Sequence, residues 1–168
     1  MAEAVRILND PILRRKCDPV DTANLSADPK VVQSLLDEMF ATMTAEKGIG
    51  LAANQVGYTV QIFILKDGDS FKEFINPEIV SQSELVDFEG EGCLSIPGTS
   101  GKTKRYKQLT LTWLDRNGTK NESVFQDMQA FAVQHEMDHL NGKLYIDQFG
   151  PVKRDLVLSK HRKHMRSK

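Results

Sequence analysis

With 168 residues, 40% of them hydrophobic, the chain is long enough to bury one real core and short enough to do so in one unit. Its 22 basic and 23 acidic residues nearly cancel, so bulk charge does not point to a nucleic-acid partner. No apolar run nears the roughly 18 residues of a membrane span, and Met1 to Asn9 has neither a secretory signal core nor the arginines of a transit peptide.

In chain order, residues 27 to 46 are predicted as a helix, because Val31, Val32, Leu35, Leu36, Met39, Phe40 and Met43 recur at helical spacing before Gly48-Ile49-Gly50 breaks the pattern. The β-branched and aromatic run Val60 to Leu65 predicts a buried strand. Phe74 to Val80 reads as an edge or bent strand, since Pro77 cannot donate to a ladder. Leu109 to Phe125 alternates with period two around Asn117-Gly118, which predicts a hairpin. Residues 127 to 141 form the next helix, with Asp127 as its N-cap and Gly142 as its stop. From Val152 a last helix is expected to fray into a polar tail. No repeat, low-complexity tract or linker divides the chain, so residues 1 to 168 are expected to form a single domain of the α+β class. The two cysteines, Cys17 and Cys93, make no disulfide framework and are expected as free thiols in a reducing cytoplasm.

The predicted helix at 127 to 141 contains His135-Glu136-Met137-Asp138-His139. Residues four apart share a helix face, so His135 and His139 can reach one metal ion, with Glu136 placed as a general base. Alternatively, the three simply line a polar face; the apolar run Phe131, Ala132 and Val133 before them favours burial, and so metal. A third ligand is less obvious. Tyr145 stands where one peptidase class needs a histidine, and no glutamate follows Glu136. His161 and His164 lie in a strongly basic segment that repels a cation. Asp147 and Asp155 have no pattern around them. Upstream, Cys93 in Glu91-Gly-Cys-Leu-Ser-Ile-Pro-Gly is flanked by Gly92 and a turn, from which a thiolate could lean into a site; a small buried hydrophobe is the alternative. These residues alone leave Cys93, Asp147 and Asp155 open.

Three blocks are similar to those of peptide deformylases: GIGLAANQ from Gly48 to Gln55, EGCLS from Glu91 to Ser95, and QHEMDHLNG from Gln134 to Gly142. The flanks, ILNDPILRRKCDPV and LNGKLYID, fit as well, so nearly the whole chain is covered. The resemblance implies antiparallel sheets packed around a central helix carrying the histidine motif, with a C-terminal helix. It implies one divalent metal per chain on Cys93, His135 and His139: Fe(II) in the cell, with zinc, nickel or cobalt able to substitute. Glu136 would be the general acid and base; Gln55 and the Leu94 backbone N–H would donate to the developing oxyanion. The reaction implied is hydrolysis of the N-formyl group from the initiator N-formylmethionine of newly made proteins, releasing formate.

On the same helix face as His135, Met128, Phe131 and Ala132 are then candidates for the wall of a methionine pocket. The backbone of Gly48, Ile49 and Gly50 could take an extended peptide, and Gly92 is a further substrate-binding candidate. The chain departs from many bacterial members in having Ser100 where they carry an arginine; Lys102, Lys104 and Arg105 are candidate replacements. Asn54 is assigned no role, Trp113 is read as packing and Cys17 as a spectator. Between Lys153 and Lys168, seven lysines and arginines against one aspartate suggest ribosome contact by the tail of a cytoplasmic monomer that has no membrane association. Two rival readings are a peptidase that cuts internal bonds and a non-catalytic, metal-stabilised ribosome-binding module.

Overall fold

The computed structural model describes residues 1 to 23 and 29 to 168. Helix α1 (Pro29–Ala45) buries Val32, Leu36, Met39 and Met43 along one face, at the spacing read from the sequence. The predicted first turn, at 27 and 28, lies outside the described residues. The helix stops where Lys47 takes φ +56° and the Gly48 N–H closes on the Met43 carbonyl at 2.8 Å.

Seven strands follow in chain order: β1 (Gly50–Ala52), β2 (Ile62–Asp67), β3 (Ser70–Gln82), β4 (Leu85–Glu91), β5 (Gly101–Tyr106), β6 (Gln108–Leu114) and β7 (Lys120–Gln126). Five form an antiparallel sheet in the order β1-β2-β3-β6-β7, while β4 and β5 make a separate two-stranded sheet. Helices α2 (Asp127–Leu140) and α3 (Pro151–Arg166) complete the α+β fold. Strand β2 explains its own unbroken apolar run: Ile62 and Ile64 join the α1 side of the core, whereas Phe63 and Leu65 join the α2 side. On that second side Phe63 stacks on Phe74 at 4.6 Å, and Phe74 meets Trp113 at 4.9 Å, beneath Ala130, Val133 and Leu140 of α2.

Four sequence expectations need adjusting. Strand β3 is bent but is not an edge; it runs between β2 and β6. A register shift between Ile75 and Glu78 absorbs Pro77, and Asn76, at φ +49°, exchanges side-chain hydrogen bonds with the Val20 backbone. The β6–β7 turn is wider than Asn117-Gly118: the last pair is Leu114 with Lys120, and Asp115 Oδ1 accepts from the N–H groups of Asn117 and Thr119. Asp127 is not the N-cap of α2. It is the first helical residue, at φ +52°, tied through its N–H to the Lys107 carbonyl, and Gln126 holds the cap position.

The last adjustment concerns the C-terminal segment, which stays helical to Arg166 instead of fraying. His161 is buried, its Nδ1 3.1 Å from the Pro97 carbonyl, and a Cβ on Gly98 would lie 2.4 Å from the His164 ring. Deleting residues 161 to 168 therefore removes a packed turn. It is expected to lower the thermal midpoint, by about 2–4 °C for each kcal/mol lost at this chain length. An unchanged midpoint in calorimetry would show that the segment carries no packing energy.

Candidate metal and catalytic site

Helix α2 lies with one face on the five-stranded sheet and another towards the β4–β5 sheet, so its polar residues are enclosed between the two. His135 and His139 lie one turn apart on it, ring centroids 5.0 Å apart. The chain leaving β4 brings Cys93 to the same point, in a turn closed by the Ile96 N–H on the Cys93 carbonyl. That turn is anchored: Ile96 is fully buried against Leu144, Tyr145 and Phe149, and Thr99 bonds the Tyr145 hydroxyl at 2.5 Å. The ligand atoms of Cys93, His135 and His139 all lie within 4.8 Å of one another, and Cys93 Sγ is 3.3 Å from His139 Nε2. Among the described residues no other group of acidic, histidine or cysteine side chains converges this way. Asp147 is committed elsewhere, to Arg14 and to the Leu144 N–H, and Asp155 is exposed on α3.

Glu91, to which the sequence motifs assign no role, holds this arrangement together. Its carboxylate, 2% exposed, bonds His135 Nδ1 at 2.8 Å and is also held by Arg105 and Thr103. Arg105, itself buried, reaches on to Asp138 at 2.6 Å. With Nδ1 engaged, Nε2 is the His135 nitrogen left to coordinate. An acid two residues before the thiol, between two glycines, was a usable signal; its pairing with Arg105 was not, because that depends on how β4 and β5 register. The same pairing removes Arg105 as a stand-in for the missing arginine near Ser100. Lys102 and Lys104 are exposed on β5 and both lie beside Asp87, at 3.7 and 2.8 Å.

The charges in the site are sorted by environment. Burial would raise the Glu91 pKa, but hydrogen bonds from His135 and Arg105 outweigh it and hold the group at about 2. Burial also works against a charged His135, yet its bonds to Cys93 and Glu91 keep its pKa well above the usual histidine value. His139 is pushed the other way, by burial and then by the positive charge of His135. Glu136 is raised to about 7, chiefly by burial, and its Oε2 has no hydrogen-bond partner among the described residues.

A cavity of about 370 Å³ opens beside this cluster. Cys93, His135, Glu136, Gln55, Gly92 and Leu94 line it. Gly48, Ile49 and Gly50 also line it, as do Met128, Phe131 and Ala132 of α2. Every residue expected at the site from sequence therefore meets here, His139 lying just behind the lining. Gln55 accepts from the Ala52 N–H at 2.9 Å and directs Nε2 to Ser95 Oγ, 3.1 Å away, and towards Cys93 Sγ at 3.8 Å. Gly50 is required by space, since a Cβ there would lie 2.7 Å from Glu136 Oε1. Asn54 has a structural part after all, donating at 2.7 Å to the His139 carbonyl. Phe88 also lines the cavity and was not foreseen.

The sequence profile of polypeptide deformylases matches residues 2–155. The chain belongs to the peptide deformylase family. Peptide deformylase 2 of Xanthomonas axonopodis pv. citri (strain 306) is 42% identical over 162 residues, covering 93% of this chain and 94% of that protein. A crystal structure of a peptide deformylase from Legionella pneumophila superposes with a TM-score of 0.92 at 35% identity, over 99% of this chain and 96% of that one. A class I type b peptide deformylase from Acinetobacter baumannii, crystallised with Met-Ala-Ser bound, gives 0.81 at 31% identity, over 89% and 99% of the two chains. Peptide deformylases are metalloenzymes that remove the N-formyl group from the initiator methionine of new polypeptides, and that activity is the one supported for this chain. Neither the internal-bond peptidase nor the non-catalytic module has support.

Glu91 yields a test. A carboxyl held at about 2 instead of its ordinary 4.5 adds stability that is complete above about pH 4.5 and is lost as the pH falls towards 2. In metal-free protein, Glu91→Gln is expected to cost about 3–5 kcal/mol at neutral pH, because Arg105 loses its buried partner. The gap to wild type should then narrow between pH 5 and pH 2. Parallel unfolding curves across that range, with a constant gap, would contradict the assignment.

Proposed function

We propose that residues 1 to 168 form a single catalytic deformylase domain in which Cys93, His135 and His139 hold one divalent metal and Glu136 moves the proton. The observation that carries this reading is the convergence of one thiol and two imidazoles beside a buried carboxylate with an unpartnered oxygen. The donor set fits: a soft thiolate with two imidazoles suits Fe(II), Zn, Co and Ni alike, and three protein ligands leave a coordination position open, as catalytic sites do. When bound, such an ion polarises a carbonyl oxygen and acidifies water.

The chain's own groups supply the rest. Glu136, at about 7, is poised to take a proton from water at neutral pH and return it to the departing nitrogen, which leaves poorly as an anion. Gln55 Nε2 and the Leu94 N–H donate to the oxygen of the formyl group as it gains charge; losing one such donor typically costs roughly 100- to 1,000-fold in rate. The methionine side chain enters between Met128, Phe131 and Ala132. Strand β1 is an edge of its sheet, paired only with β2, so Gly50 and the Gly48-Ile49 segment leading into it can receive an extended peptide as an added strand, and Gly92 lines the same cavity. The Met-Ala-Ser carried by the Acinetobacter baumannii relative supports a peptide lying in this cleft.

We further infer Fe(II) as the cellular metal and a monomeric, cytoplasmic enzyme. No helix among the described residues is long and apolar enough to cross a membrane. The exposed Lys160, Arg162, Lys163 and Arg166 of α3 offer a surface for ribosomal RNA near the nascent substrate.

Glu136→Gln is expected to keep its metal and lose at least about 100-fold in kcat, whereas Cys93→Ser should lose metal to a chelator that wild type resists. The comparison to make is formate release from a formyl-peptide against acetate release from its acetyl counterpart and new amino termini from an internal peptide bond, with metal content measured on the same samples. Near wild-type turnover by Glu136→Gln would remove it from the chemistry. Iron-loaded enzyme should also decay faster in air than nickel-loaded enzyme, since only the former has an accessible metal oxidation; identical decay with metal retained would leave thiol damage or unfolding as the cause.

A further inference from the structure

We propose that Phe88, outside every motif of the sequence, sets which first side chain the pocket accepts; this rests on the deformylase reading of the cleft. Strands β4 and β5 pair Phe88 with Thr103, and their next registered pair is Glu91 with Gly101. Three residues on one strand thus span two on the other. On a regular strand residues three apart face opposite sides. The extra residue, with Gly90 at φ +76°, turns both Phe88 and Glu91 towards α2. There they meet two residues four apart on the helix. Phe88 lies against Phe131, with ring centroids 4.8 Å apart and 27° between planes, and Glu91 bonds His135. One bulge places both the pocket's wall and the support of the histidine.

Phe131 is nearly buried and Phe88 half-buried, and both line the cavity with Met128 and Ala132. The wall that an entering side chain meets is therefore aromatic. A thioether is polarisable and is attracted to ring edges, an effect worth roughly two- to tenfold in affinity over a hydrocarbon of the same shape. Methionine and norleucine differ by just that exchange of sulfur for a methylene. The ring of Phe88 also occupies room that a bulkier first residue would need.

The test uses metal-loaded wild type, Phe88→Leu and Phe88→Ala with three substrates: formyl-Met-Ala-Ser and its norleucine and phenylalanine counterparts. Wild type is expected to favour methionine over norleucine by roughly two- to tenfold in kcat/KM. Phe88→Leu should bring that ratio close to one. Phe88→Ala should raise KM for the methionine substrate and improve phenylalanine relative to methionine by about tenfold or more. Ratios within one preparation cancel any misfolded or metal-free fraction. Calorimetric binding of Met-Ala-Ser and norleucyl-Ala-Ser should give the same order without turnover. Unchanged ratios in all three proteins would overturn the role of Phe88. No formate release by wild type from any of the three peptides would instead overturn the deformylase reading itself.

Discussion

The site depends on one buried contact, the Glu91 carboxylate on His135 Nδ1. A histidine on a helix can rotate about two bonds, and a ligand that rotates costs affinity; a carboxylate fixed on the far nitrogen removes that freedom. Burying a carboxylate is expensive unless it is fully paired, and here Arg105 and Thr103 complete the pairing. Arg105 in turn binds Asp138, which stands on α2 three residues beyond His135. The chain of contacts leaves the helix, crosses the small sheet and returns to the helix, so the motif helix and the strand leading to Cys93 are fixed to each other by charge.

That arrangement also separates two carboxylates that the sequence would treat alike. Glu91 is surrounded by donors and stays charged to about pH 2; Glu136, enclosed without a donor on Oε2, rises to about 7. One is suited to hold, the other to exchange a proton. The difference is made by neighbours from β5 and α2, and no local feature of either glutamate announces it.

Much of the site was legible because its parts are short local patterns. The histidine spacing is a property of any helix, and Gly48 and Gly50 mark places where a side chain would strike Leu94 or Glu136. What was not legible depends on register. Between Leu85 and Tyr106 the alternation is broken by the bulge between Phe88 and Glu91, and the face towards α2 carries, besides Phe88, Glu91, Thr103 and Arg105 in place of apolar residues, so neither strand stands out in the sequence. With the strands went the Arg105 pairing and the position of Phe88. Pro77 was read as marking an edge because an edge usually excuses a missing N–H; a bulge in a central strand does so equally well. At the C-terminus, a high density of basic residues concealed His161, whose burial follows from the Pro97 carbonyl beneath it and not from its neighbours in sequence.

Cys93 and His139 are 46 residues apart in the chain and 3.3 Å apart in space. In the proposed site, a metal seated between them closes that long loop as a removable crosslink. The segment so closed contains β5, β6, β7 and most of α2, so the two ligands tie the start of the small sheet's turn to the end of the motif helix across most of the C-terminal half. Stability and occupancy then become one variable. An ion bound only by the folded chain would add stability that grows with its affinity and free concentration.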